Sequence, residues 1–173
     1  MDILTATPRL LRFSDNGAFP NSALPVLFYP AALRIDAAQD VSSTASAIEA
    51  IFAAHQWPPD WRDGIYDFHH YHSTAHEALG VAAGDAQIML GGPNGEVLPL
   101  GRGDVLVLPA GTSHCALTQS RDFLVVGAYP PDQKWDVMRG LDDERPGALQ
   151  RIARVPMPKD DPIGGALPTA WCG

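Results

Sequence analysis

The sequence predicts an all-β single domain with one flanking helix, and three observations carry that prediction. From Gly64 onward, short runs rich in Val, Leu, Ile and aromatic residues alternate with turn signals, at the spacing of a β-sandwich or barrel. Sixteen glycines and sixteen prolines in 173 residues supply the turns that many short strands need. Only one stretch, 40–56, changes to helical periodicity. The length suits one domain with a substantial core, 1–173, without internal repeats or low-complexity segments.

Taken in order, residues 9–13 and 24–29 read as two short extended pieces. Pro20, Pro25 and Pro30 punctuate them and place them at a sheet edge. Over 40–56, Val41, Ala45, Ile48, Ile51, Phe52 and His55 recur at spacings of three or four, the apolar stripe of an amphipathic helix. Asp40 or Ser42 can cap it, and Trp57-Pro58-Pro59 ends it. Strands follow at 65–72, 77–82, 86–90, 96–100, 105–108, 114–118 and 123–129. The turns between them contain Gly84, Gly91-Gly92-Pro93-Asn94-Gly95, Gly101-Arg102-Gly103-Asp104 and Pro109-Ala110-Gly111. From Pro130 the chain is rich in Pro, Gly and charge. It reads as a surface-wrapping tail with one further strand at 151–155 and Trp171 as a packing anchor.

Charge and hydropathy exclude several classes of function. Twelve basic against twenty acidic residues give a net charge of -8, and no Lys/Arg cluster interleaves with aromatics. Nucleic acid and anionic membrane surfaces are therefore not expected partners. No apolar run is long enough for a transmembrane helix, and residues 1–11 lack a signal-peptide pattern, so a cytoplasmic protein is expected. Two cysteines, Cys115 and Cys172, do not indicate a disulfide framework.

The chemistry concentrates in His70-Tyr71-His72, Glu77 and His114. Histidines at i and i+2 of a strand share a face. With a carboxylate five residues later and a fourth side chain after the hairpins, they make three imidazoles and one carboxylate, a good donor set for a divalent first-row metal. Glu77 begins a strand whose inward face continues with Leu79 and Val81. His76 is the competing fourth donor, and choosing it would give a site of four histidines. His69 falls on the opposite face and reads as a surface or interface residue. Tyr66 shares the parity of His70 and either lines the site or fills core. Cys115, facing away from His114, reads as a small buried hydrophobe.

The spacing of these residues resembles the cupin family. Gly64, five residues, His70-Tyr71-His72, four residues, Glu77, six residues and Gly84 follow its first motif. Gly103, five residues, Pro109-Ala110-Gly111, two residues and His114 follow the second, which departs only in having Thr118 where the family has Asn. The match spans 64–118. The run His72-Ser73-Thr74-Ala75-His76-Glu77 with Ala153-Arg154-Val155-Pro156 is similar to the YjlB-like group of single-domain bacterial cupins. The resemblance implies a double-stranded β-helix, the cupin jelly-roll barrel, and a homodimer. It also implies one divalent transition metal ion (Fe, Mn, Ni, Co, Cu or Zn) held by His70, His72, Glu77 and His114. The function it implies is a metal-dependent enzyme of dioxygenase, isomerase or decarboxylase type on a small-molecule substrate such as an organic acid or polyol. The alternative is a non-catalytic small-molecule binding or sensing cupin.

Overall fold

The computed structural model describes residues 1–4 and 7–172. Among them the chain forms β1 (Asp2–Ile3), β2 (Arg9–Leu11), β3 (Val26–Tyr29), β4 (Leu33–Arg34), α1 (Val41–Ala54), β5 (Pro59–Asp63), β6 (Glu77–Ala83) and β7 (Asp85–Leu90). After these come β8 (Glu96–Gly101), β9 (Val105–Leu108), β10 (His114–Gln119), β11 (Leu124–Ala128), α2 (Arg145–Ile152) and α3 (Leu167–Cys172). The protein is mostly antiparallel β-sheet with few helices. A six-stranded sheet has the order β2-β3-β9-β6-β11-β5, a three-stranded sheet the order β10-β7-β8, and β1 pairs with β4. Hydrogen bonding does not join these sheets into one closed ring among the described residues.

Strand alternation sorts the six-stranded sheet into two apolar faces. On one face Val26, Phe28, Leu79, Val81, Leu106 and Leu108 meet Ala86, Ile88, Leu90, Leu98 and Leu100 of the three-stranded sheet in one core cluster. On the other, Leu27, Tyr29, Ala78, Ala82, Val105 and Val107 pack against Ala45, Ile48 and Phe52 of α1 and Leu167 and Trp171 of α3. β6 lies at the centre and is buried along its whole length. Its outward residues, Ala78, Gly80 and Ala82, are small for a reason: a Cβ at Gly80 would sit 2.6 Å from Cγ2 of Ile48. The helix therefore lies close against the strand. Its N-terminus is capped by Asp40, whose carboxylate accepts from the Ser43 N–H at 2.9 Å.

The expected strand at 65–72 does not form. The chain instead runs as a strand at Pro59–Asp63, and only the isolated bridges His70↔His114 and Tyr71↔Met138 return it to pairing. Side chains take over from the ladder. The Asp63 carboxylate accepts from the Gly64 N–H at 2.7 Å. The Gln119 amide accepts from the Ile65 N–H at 2.8 Å and donates to the Ile65 carbonyl at 3.0 Å. The Pro58-Pro59 pair reads as a terminator, yet β5 is the last strand of its sheet, where a proline at the first position costs no ladder bond.

The expected strand at 151–155 is replaced by α2, which starts with Pro146 in its first turn and buries Ala148. Ala148 and Ile152, four apart, share one helical face and pack with Phe19, Tyr71 and Met138. Trp171 is buried and donates to the Pro25 carbonyl at 2.8 Å, so the anchor is where the sequence placed it. Among the described residues no helix is long and apolar enough to cross a membrane.

Candidate metal centre

Three backbone devices bring the histidines together. The bridge between His70 and His114 is made by both N–H groups, at 3.1 and 2.9 Å, so the two side chains start from adjacent backbone. Their ring centroids lie 4.0 Å apart. Gly111 (φ +94°) supplies the left-handed turn just before His114, and its N–H donates to the His72 carbonyl at 2.8 Å. Tyr71 exchanges backbone bonds with Met138, and this fixes His72 from the opposite side.

Each ring then uses Nδ1 on a backbone carbonyl: His70 with Phe68 at 3.0 Å, His114 with Thr112 at 3.2 Å, and His72 with Asp136. A carbonyl can only accept, so each Nδ1 donates, which leaves Nε2 as the nitrogen free to face a ligand. Ligand atoms of the three lie within 4.8 Å of one another, and all three residues are buried. Glu77 is 2% exposed. Its Oε1 is 3.3 Å from Nε2 of His72, and its Oε2 is 3.3 Å from Nε2 of His114. Oε2 has no directed hydrogen bond, a buried acceptor left over in an otherwise satisfied site. Oε1 accepts from the Tyr129 hydroxyl at 2.6 Å. That hydroxyl in turn accepts from Nε1 of Trp61 at 2.8 Å.

The electrostatics are those of a buried ion pair, His72 with Glu77, beside the neutral imidazole of His70. Burial, then the neighbouring His114, pulls His70 down to about 3, so it stays neutral at physiological pH. Burial also pulls on His72, but the Glu77 carboxylate and the Asp136 carbonyl outweigh it and raise the ring above its ordinary value. Burial pushes Glu77 up, and the adjacent His72 and His114 overcome it, so the carboxyl sits well below the usual range. The site thus offers an ionised carboxylate and inward-facing imidazole nitrogens, a donor set that fits a divalent transition metal. Metal entry would displace protons held by this pair.

The structure therefore brings His70, His72, Glu77 and His114 to one point and puts His76 elsewhere. Nδ1 of His76 accepts from the Ala110 N–H at 3.0 Å, and its ring packs 4.8 Å from that of Trp171. Tyr66 is 47% exposed, stacks on Phe68 and lines the cavity rather than the core. His69 is half-buried against Phe19, with ring centroids 5.6 Å apart. Cys115 is a buried free thiol whose ionisation is pushed up by burial and then by Asp67. The Cys172 side chain lies outside the described residues.

A cavity of about 180 Å³ opens over the four residues, walled by Trp61, Ile65, Tyr66, Leu79, Tyr129 and Trp135. Sequence reasoning missed Tyr129, Trp61, Trp135 and Asp136. Strand parity could have found Tyr129, since Val125, Gly127 and Tyr129 alternate on the inward face. Gly127 faces Trp61 across the β11–β5 ladder, and a Cβ there would meet the indole at 2.1 Å. The glycine is what lets that ring reach Tyr129.

Fold and site together define a β-rich protein with a buried cluster of three imidazoles that could hold a metal ion. The chain is 36% identical over 154 residues, 88% of each chain, to the "Uncharacterized protein YjlB" of Bacillus subtilis (strain 168), and it belongs to the same family. No protein-family profile matches the chain. Among solved structures, a DUF861 family protein from Thermotoga maritima is 17% identical, with a TM-score of 0.31 over 54% of this chain and 94% of that one.

Proposed function

We propose that the protein is a cytoplasmic metal-binding cupin, its two facing sheets a jelly roll, in which His70, His72, Glu77 and His114 hold one divalent transition metal ion. We read it as a metal-dependent enzyme of dioxygenase, isomerase or decarboxylase type acting on a small organic molecule. The observation that carries this reading is the cluster of three Nδ1-anchored imidazoles with ligand atoms within 4.8 Å of one another, beside the unpartnered Oε2 of Glu77, in the lining of a cavity. A bound ion would supply Lewis-acid polarisation of a substrate oxygen there. The chain's own part is to hold the donors in one geometry. The carbonyls of Phe68, Thr112 and Asp136 fix the rings, Tyr129 fixes Glu77, and aromatic side chains wall the cavity above them.

One observation favours the alternative, a non-catalytic binder. The Tyr129 hydroxyl, the one in contact with Glu77, is engaged on both sides and is not free to move a proton. Elemental analysis of the purified protein tests the metal centre. We expect about one transition metal ion per chain, a lower melting temperature after chelation, and recovery on adding back the same ion. Protein that takes up none of Fe, Mn, Ni, Co, Cu or Zn would defeat the proposal.

We also propose a homodimer. β2 is the edge of the six-stranded sheet and leaves Leu10 half exposed, and open edges need cover. Sedimentation at micromolar concentration should give twice the 18.5 kDa chain mass. A monomer mass would count against it.

A further inference from the structure

The cavity above the histidines has a chemical character of its own. Its walls are mostly aromatic and aliphatic, and apart from the Tyr66 hydroxyl and one Asp63 oxygen its polar side chains are already committed. The Tyr129 hydroxyl serves Glu77, the Trp61 N–H serves Tyr129, and the Ile65 N–H serves Gln119. Nε1 of Trp135 donates to the Asp60 carboxylate at 2.8 Å. Among the described residues of the lining, the one cation is Arg62, and it is tied to both oxygens of Glu49, at 2.6 and 2.7 Å, and to Ser46 at 2.9 Å. Asp63, also in the lining, adds negative charge. A polyol would find few free partners along these walls, the Tyr66 hydroxyl and the Asp63 carboxylate, and a second carboxylate would find no free counter-charge.

The charge count at the floor sets the complementary limit. A divalent ion with Glu77 ionised and the imidazoles neutral leaves one positive charge for an incoming ligand. The walls set the shape. Trp135 stacks on Tyr129 with ring centroids 6.0 Å apart and meets His72 edge-on at 5.6 Å, so an aromatic surface begins directly beside the donors. A cavity of about 150 Å³ holds a benzene, so the 180 Å³ here suits one ring. Resting on the metal centre proposed above, we infer that the site takes a small aromatic monoanion: one ring bearing a single acidic oxygen group, the oxygen at the ion and the ring against Trp135 and Tyr129. This narrows the organic acids and polyols that the family resemblance implies to one class, and makes Trp135 a specificity residue.

Titration calorimetry on the full chain loaded with Mn²⁺ tests this, with benzoate, acetate, phthalate and succinate as probes and metal content measured on each sample. Benzoate should bind at least about tenfold tighter than acetate, which has the same carboxylate without the ring, and tighter than phthalate or succinate. Trp135→Ala should erase most of the benzoate-over-acetate ratio, whereas Trp135→Phe, which keeps a ring, should retain it. Trp135 is 38% exposed, so neither change empties the core. Chain that holds no Mn²⁺ overturns the metal centre and this inference with it. Chain that holds Mn²⁺ yet binds succinate or phthalate as tightly as benzoate, or keeps the ratio in Trp135→Ala, overturns the inference alone.

Discussion

The double variant His70→Ala, His72→Ala is expected to purify folded and free of metal. Neither residue belongs to the apolar clusters that join the sheets and helices, so the fold has its core without them. Metal affinity has no such reserve. Structural metal sites with four ligands are worth roughly 10–16 kcal/mol, so each donor accounts for about 3 kcal/mol, on the order of a hundredfold in affinity. Losing two takes the site out of reach of cellular metal. Two single changes then fix the fourth ligand. Glu77→Gln removes the charge and should weaken metal binding by a similar factor. His76→Ala should keep the metal, while unpairing the buried Ala110 N–H costs about 1–3 kcal/mol of stability. Calorimetric metal titration of the two variants decides. A metal-free His76→Ala beside a metal-loaded Glu77→Gln would mean a site of four histidines.

The largest loss of stability is expected at Asp161. It is 2% exposed, and it accepts from the Tyr29 hydroxyl at 2.5 Å, the Ile163 N–H at 2.9 Å and the Leu167 N–H at 3.1 Å. Burial, then the Asp161 carboxylate, holds the Tyr29 phenol well above its ordinary value, so it stays a donor throughout the physiological range. Asp161→Ala strands three buried donors at about 1–2 kcal/mol each, or roughly 3–6 kcal/mol in total. For a chain of this size that is a fall of about 10–20 °C in melting temperature. Near-ultraviolet and far-ultraviolet melts measure it. A melting point within about 2 °C of the parent would show that these bonds contribute little.

Much of this was legible in the sequence because side-chain period and turn chemistry are local properties. Leu79, Val81 and Glu77 do share the inward face of β6, and the helical stripe from Val41 to Phe52 buries Ala45, Ile48 and Phe52. His70, His72 and His114 meet within 4.8 Å, and Glu77 lies against His72 and His114, although the strand expected to align the first two does not form. The strand at 65–72 misled because its composition fits a strand while its partner is a side chain, Gln119, fifty-four residues away. No periodicity encodes that. The tail misled for a related reason. Its polar composition reads as surface, yet Asp136 reaches His72 and Ser73, Met138 pairs with Tyr71, and Arg151 donates to Ser73 at 2.7 Å. Such contacts join parts of the chain more than sixty residues apart, and each involves a single residue rather than a pattern.

The reach of Asp136 back to His72 has a consequence for the order of events during synthesis. All four candidate ligands have been translated by residue 114, but the carbonyl that sets the His72 ring arrives only with residue 136, and the Arg151 guanidinium beside the Asp136 carboxylate comes later still. A nascent chain holding every donor therefore lacks the support that aims one of them. Ion capture at the proposed centre would belong to the nearly finished polypeptide, and earlier loading would meet a loose and poorly selective set of side chains.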